Sequence, residues 1–139
     1  MHAASFRDLI VYPKARAVAK EVFVLSQRFP REEAYSLTDQ VRRCSRSIGA
    51  QIAEAWGKRR YEKHFLSKLT DADGEQYETQ HWVDTAFDCG YVTREEADRL
   101  NDGLAQVGRM LNSRMEKSAS FCGDRHLKVK EDSIDYFTP

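Results

Sequence analysis

Residues that break helices are scarce in this sequence: of 139 residues, three are proline and seven are glycine. Long helices can therefore run with few interruptions. Cysteine is also sparse. Cys44, Cys89 and Cys122 are an odd number, widely spaced, with no C-x-x-C pair, which leaves a disulfide scaffold, zinc binding and thiol redox chemistry without a motif. No apolar run approaches the roughly 20 residues that span a bilayer. The opening Met1-His2-Ala3-Ala4-Ser5-Phe6-Arg7-Asp8 has no basic flank leading into an apolar stretch of signal length. A cytoplasmic protein without membrane contact is the expectation. Also missing are a glycine-rich phosphate loop, a G-x-S-x-G elbow and a Cys–His pairing that can be placed in one pocket. The chain is therefore expected to be no enzyme, with no cofactor and no small-molecule substrate.

What is present suits one folded domain with a charged surface: 41% of residues are apolar and 32% charged. Net charge is zero but unevenly spread. Residues 1–68 hold 14 Lys+Arg against 7 Asp+Glu, and residues 69–139 hold 8 against 15. The halves thus carry +7 and −7, a long-range attraction available within one molecule or between neighbours.

Four segments show helical periodicity. Ala15, Val18, Val22, Leu25 and Phe29 recur at steps of three and four, the seam of a packed helix over about 13–29. Pro13 suits its first turn and Pro30 closes it. Phe6, Leu9, Ile10 and Val11 form an apolar lead-in expected to dock on the bundle. Ser36 and Asp39 have capping-box spacing ahead of Leu37, Val41, Cys44, Ile48, Ile52 and Ala55, which predicts a second helix over 37–59 with Gly49 at a bend or close contact. The third, 61–89, carries Phe65, Leu66, Leu69, Ala72, Val83, Ala86 and Phe87, with Gly90 as its cap. Thr93 and Glu96 form a T-x-x-E capping box for a fourth helix over 94–121, with Ala97, Leu100, Leu104, Val107 and Leu111 inward. The turn at 90–93 is too short for anything but antiparallel neighbours. The fold expected is all-α: an up-down-up-down antiparallel four-helix bundle over 1–122. Residues 123–139 read as a polar, mobile tail.

The lead-in Phe6-x-x-Leu9, then Ala15, then Phe29-Pro30-x-Glu32, resembles the opening of a bacterial four-helix-bundle family encoded in the intervening sequences of ribosomal RNA genes. Ser47-Ile48-Gly49-Ala50-Gln51-Ile52-Ala53-Glu54-Ala55 is similar to that family's Ser-Ile-Pro-x-Asn-Ile-Ala-Glu-Gly, departing at Gly49, Gln51 and Ala55. Gly74, Tyr77 and Glu78 also align, while Gln76 and Thr79 stand where leucines are usual. The family is in turn similar to the accessory variability protein of diversity-generating retroelements, which assists a reverse transcriptase. The resemblance implies a helical bundle assembled as a ring-shaped homopentamer, with RNA, DNA or a reverse-transcriptase-like protein as partner.

Three constellations qualify as sites. Arg42, Arg43 and Arg46, then Lys58, Arg59, Arg60 and Lys63 with Trp56 and Tyr61 interleaved, suit phosphate contact and base stacking. A solvated face paired with acidic neighbours is the plainer alternative. Along the third helix, Asp73, Gln76, Thr79 and Gln80 interrupt the seam. They form either a buried hydrogen-bonded network or a wet face at a subunit interface or central opening. The second is carried forward, with Asp73, Gln76, Gln80 and Asp84 at the interface. Opposite charges on the two hairpins would then meet head to tail. Glu78-Thr79-Gln80-His81 matches the Glu-x-x-His of di-iron bundles, but no second copy exists to complete a centre. Glu54 is expected to pair with an arginine. The function expected is a non-catalytic accessory that oligomerises and binds nucleic acid or its processing machinery through the basic helix-two face. The alternative is a structural or protein-binding module whose charges serve self-assembly.

Overall fold

A computed structural model describes residues 3–118 and Cys122. Four α-helices follow in order, and no strand occurs among the described residues: α1 (Val11–Ser26), α2 (Leu37–Gly57), α3 (Glu62–Asp88) and α4 (Arg94–Glu116). Cross-helix contacts set the directions. The end of α1 meets the start of α2 through Arg42 on Ser26, and the end of α2 meets the start of α3 through Glu54 on Lys68. Asp84 on α3 accepts from Asn101 near the start of α4, while Thr70 reaches Met115 near its end. Each neighbour therefore runs antiparallel, and the arrangement is a four-helix bundle.

The seams read from periodicity are the core. Ala15, Val18, Val22 and Leu25 of α1 are buried, with Val41, Cys44, Ile48, Ile52 and Ala55 of α2. Phe65, Leu69, Ala72, Val83 and Ala86 of α3 meet Ala97, Leu100, Leu104, Val107 and Leu111 of α4. Each large apolar side chain so buried contributes on the order of 1.5–3 kcal/mol. Of the lead-in, Leu9 and Val11 are buried and Phe6 packs at the edge, but Ile10 is 69% exposed.

Helix ends differ in how they close. Gly90 sits at φ +80°, the left-handed region that glycine enters without strain. There the Gly90 N–H donates to Phe87 O and the Tyr91 N–H to Ala86 O, a Schellman closure of α3. Thr93 and Glu96 form the expected capping box. Ser36 does not cap α2: its hydroxyl donates to Glu33 instead, at 2.7 Å from Oε1. Helix α1 stops at Ser26, three residues before Phe29, because a short 3-10 turn (Arg31–Glu33) carries the chain round to α2. Helix α4 closes at Glu116, ahead of the expected boundary near 121. The tail at 123–139 lies outside the described residues. No helix among the described residues is long and apolar enough to cross a membrane.

Candidate interaction face

Helical geometry divides the basic cluster of α2. Arg42 and Arg46, four residues apart, share the side facing α1. Both guanidiniums lie over the Phe23 ring of α1, at 4.9 Å and 5.4 Å from its centroid, and Arg42 Nε also donates to Ser26 Oγ at 2.7 Å. Arg43 points to the other side. It is highly exposed, 3.7 Å from Asp39, and lines a groove with Gln40, Cys44, Ser47, Glu75 and Glu78. Burial, reinforced by nearby Glu78, raises the Glu75 carboxyl above its ordinary value.

The second basic group lies at the opposite end of α2, roughly 20 Å away at 1.5 Å per residue. There Arg59 stacks on Trp56 at 3.8 Å and donates Nη1 to the Trp56 carbonyl at 2.8 Å. Arg60 lies 5.9 Å over Tyr61, and Lys58 and Lys63 are exposed beside them. The two groups are not one patch. What lies between them is an open groove of about 540 Å³ between α1 and α2, which the sequence pattern did not single out. Its floor is small: Ala15, Ala19, Gly49, Ala50 and Ala53. Phe6 and Tyr12 stand at one end, packed edge to face at 4.8 Å, and Phe23 at the other. Arg16, Lys20 and Arg46 are its charged residues, and no carboxylate lines it. The available signal was a stripe beside the seam, Tyr12-Arg16-Lys20-Phe23 at steps of four, four and three.

The interrupted seam of α3 proves to be internal. Gln76 is 1% and Thr79 0% exposed. The Gln76 Nε2 donates to Asp73 Oδ1 at 3.0 Å, and Gln80 Nε2 donates to Gln76 Oε1 at 2.8 Å. Thr79 donates to Glu75 O at 2.8 Å and contacts Cys44 Sγ at 3.2 Å. The wet-face expectation is therefore corrected for Gln76 and Thr79: both are satisfied by hydrogen bonds within the chain. Asp73 and Gln80 are half-buried beside them, and Asp84 is exposed, accepting from Asn101 at 3.0 Å. Space for Gln76 comes from Gly108 of α4, where a Cβ would stand 2.8 Å from Gln76 Nε2. Gly49, by contrast, leaves room: a Cβ there would stand at ordinary contact distance, 3.7 Å, from the Tyr12 ring.

Several smaller expectations also resolve. Glu54 pairs with Lys68 at 2.9 Å instead of with an arginine. Hydrogen bonding to this lysine, and its charge, lower the carboxyl's pKa. Glu78 accepts from Trp82 Nε1 at 3.0 Å and His81 packs on the Trp82 ring, so both members of the Glu-x-x-His pair lie on the exposed side of α3. Among the described residues no group of three or more His, Cys, Asp or Glu side chains is placed to hold a metal ion. Cys44 is buried, which pushes its thiol up to about 11. Between helices, Arg28 grips Glu96 at 2.6 Å and 2.9 Å, joining a cation of the basic half to a carboxylate of the acidic half. Arg99 pairs with Glu21 in the opposite sense.

Comparison with known proteins agrees with this architecture. A crystal structure described as a protein with unknown function from the S23 ribosomal protein family, from Bacteroides thetaiotaomicron, superposes with a TM-score of 0.70. The two are 27% identical, over 77% of this chain and 96% of that one. No curated protein matches the chain. The sequence pattern of the 23S rRNA-intervening sequence protein family matches residues 7–113, and the chain belongs to that family.

Proposed function

We propose that this chain is a non-catalytic accessory protein that self-assembles and binds nucleic acid, or a protein that processes it, through the basic face of α2. The observation that supports it is the seating of arginines on aromatic rings: Arg42 and Arg46 over Phe23, and Arg59 over Trp56. A guanidinium laid on a ring is held in place with planar N–H groups available for phosphate. With zero net charge overall, affinity rests on these two separate basic groups and is strongly weakened by salt. For assembly, exposed Asp71, Glu78, Asp84 and Asp88 on α3 offer the opposite sign to a neighbour's basic groups. Unlike surfaces meeting head to tail close into a ring when the rotation per subunit allows it, and the family resemblance implies five copies.

The test is fluorescence anisotropy with labelled single-stranded and duplex RNA and DNA across a salt series. Arg42→Glu with Arg46→Glu should weaken binding and flatten the log–log salt slope by roughly 1.4–1.8, as two lost phosphate contacts would. Absence of binding by every probe at low salt would defeat the nucleic-acid reading. A second reading, a structural module whose charges serve assembly alone, is favoured by Arg43 lying beside Glu75 and Glu78. It prevails if sedimentation shows an oligomer that Arg43→Glu dissolves while no oligonucleotide binds.

A further inference from the structure

We infer that the groove between α1 and α2 is the docking site of the chain's own acidic, aromatic segment, residues 131–137. This goes beyond the nucleic-acid reading and does not depend on it. The groove is apolar along its floor and has three cations, Arg16, Lys20 and Arg46, with no carboxylate among its lining residues. Glu131-Asp132-Ser133-Ile134-Asp135-Tyr136-Phe137 is its complement: three carboxylates, no Lys or Arg, and three large apolar side chains. Charge of one sign facing charge of the other over an apolar floor sets both attraction and register.

Reach and length agree. Helix α4 finishes at Glu116, at the end of the bundle where antiparallel α1 begins, and buried Cys122 follows six residues on; this is also the Phe6 and Tyr12 end of the groove. Residues 123–130, fully extended, cover up to about 28 Å, enough to bring Glu131 to that mouth. From Tyr12 to Phe23 the floor runs roughly 16 Å along α1, and seven extended residues cover it. Tethering raises the segment's effective concentration to about the millimolar range, so weak contacts suffice to keep the groove occupied. An incoming anion would first have to displace it.

The experiment uses the full chain, compared with Glu131→Gln/Asp132→Asn/Asp135→Asn by amide NMR. Resonances of Ala19, Phe23, Arg46 and Ala50 should differ between the two proteins, while those of Tyr77 and Arg109 stay in place. A synthetic peptide of residues 129–139 should bind the neutralised variant at least about tenfold more tightly than the wild type, whose own segment competes. Arg16→Glu with Arg46→Glu should remove that binding, and a peptide with the same three neutral substitutions should fail on the unaltered groove. Superimposable groove resonances, or equal peptide affinity for both proteins, overturns the docking. So does an oligouridylate that shifts the groove amides of both proteins at the same concentration, a result that leaves the nucleic-acid proposal standing.

Discussion

Gly108 is where a single methyl group gives the sharpest test of the packing. In most exposed helix interiors Gly→Ala stabilises by about 1 kcal/mol, because alanine loses less backbone entropy. Gly74 is such a position, where a Cβ would meet nothing within 4 Å. At Gly108 the same methyl would stand 2.8 Å from Gln76 Nε2 and 3.2 Å from Asp73 Oδ1. The Gln76 amide cannot simply swing away, since it is 1% exposed and bonded at both ends, to Asp73 and to Gln80. Losing one such buried hydrogen bond costs about 1–3 kcal/mol, and overpacking costs a similar amount. Gly108→Ala should therefore lower stability by about 1 kcal/mol or more after its helix-propensity gain, while Gly74→Ala raises it by about 1. The measurement is urea unfolding followed by far-UV circular dichroism at fixed protein concentration, because any self-association shifts the midpoint. In a Gln76→Ala background the 2.8 Å contact is gone and the half-buried Asp73 carboxylate, released from its bond to Gln76, can give way, so Gly108→Ala should become stabilising. The double-mutant cycle then yields a coupling of about 2 kcal/mol. If Gly108→Ala stabilises as much as Gly74→Ala in both backgrounds, the argument from close approach is wrong.

Other expectations follow from the titrating groups and the thiols. Glu96 is depressed from 4.5 to about 2, chiefly by its Arg28 hydrogen bonds, so its contribution is present above 4.5 and fades as pH falls toward 2. Glu96→Gln should flatten that part of the stability–pH curve, and an unchanged slope would count against the pairing. Glu96→Ala should cost about 1–2 kcal/mol in chemical unfolding through the lost cap and ion pair. Tyr91 donates to Glu33 at 2.9 Å, and its hydroxyl is held up to about 12. Ultraviolet titration should therefore show a late tyrosine that Tyr91→Phe removes. Exposed Cys89 should react with an aromatic disulfide reagent in the native protein, whereas buried Cys44 should wait for unfolding. Mass spectrometry finding both labelled at equal rates would refute the burial argument.

Periodicity carried most of the architecture because a helix buried on one side must repeat apolar residues every three or four positions. Val41, Cys44, Ile48, Ile52 and Ala55 could be placed inward without coordinates, and Thr93 with Glu96 announced the start of α4. The misreadings came where a side chain had a choice of partner. Ser36 had the right spacing for a cap, but the Glu33 carboxylate next to it offered a stronger acceptor. Gln76 and Thr79 looked like a wet face because their hydrogen-bond partners lie three or four residues away or on another helix. Periodicity assigns a side, not a partner. The basic residues of α2 were legible as composition but not as a site. Arg42 and Arg46 turn toward α1 and Arg43 toward α3, and the groove between α1 and α2 is floored by alanines that read as ordinary helix. Gly108 gave no signal at all, since only the arrival of Gln76 from another helix explains it.

Glu96 has more than one employer. Its Oε1 accepts from the Thr93 N–H that opens α4 and from Arg28, and its Oε2 takes the other arm of the same guanidinium, which also reaches the Tyr91 carbonyl. Peeling the turn that follows α1 off the bundle would thus strip α4 of part of its cap, and fraying α4 would release Arg28. The two termini should open as one cooperative unit, giving matched hydrogen-exchange rates to amides around Leu25 and Ala97 despite their separation along the chain.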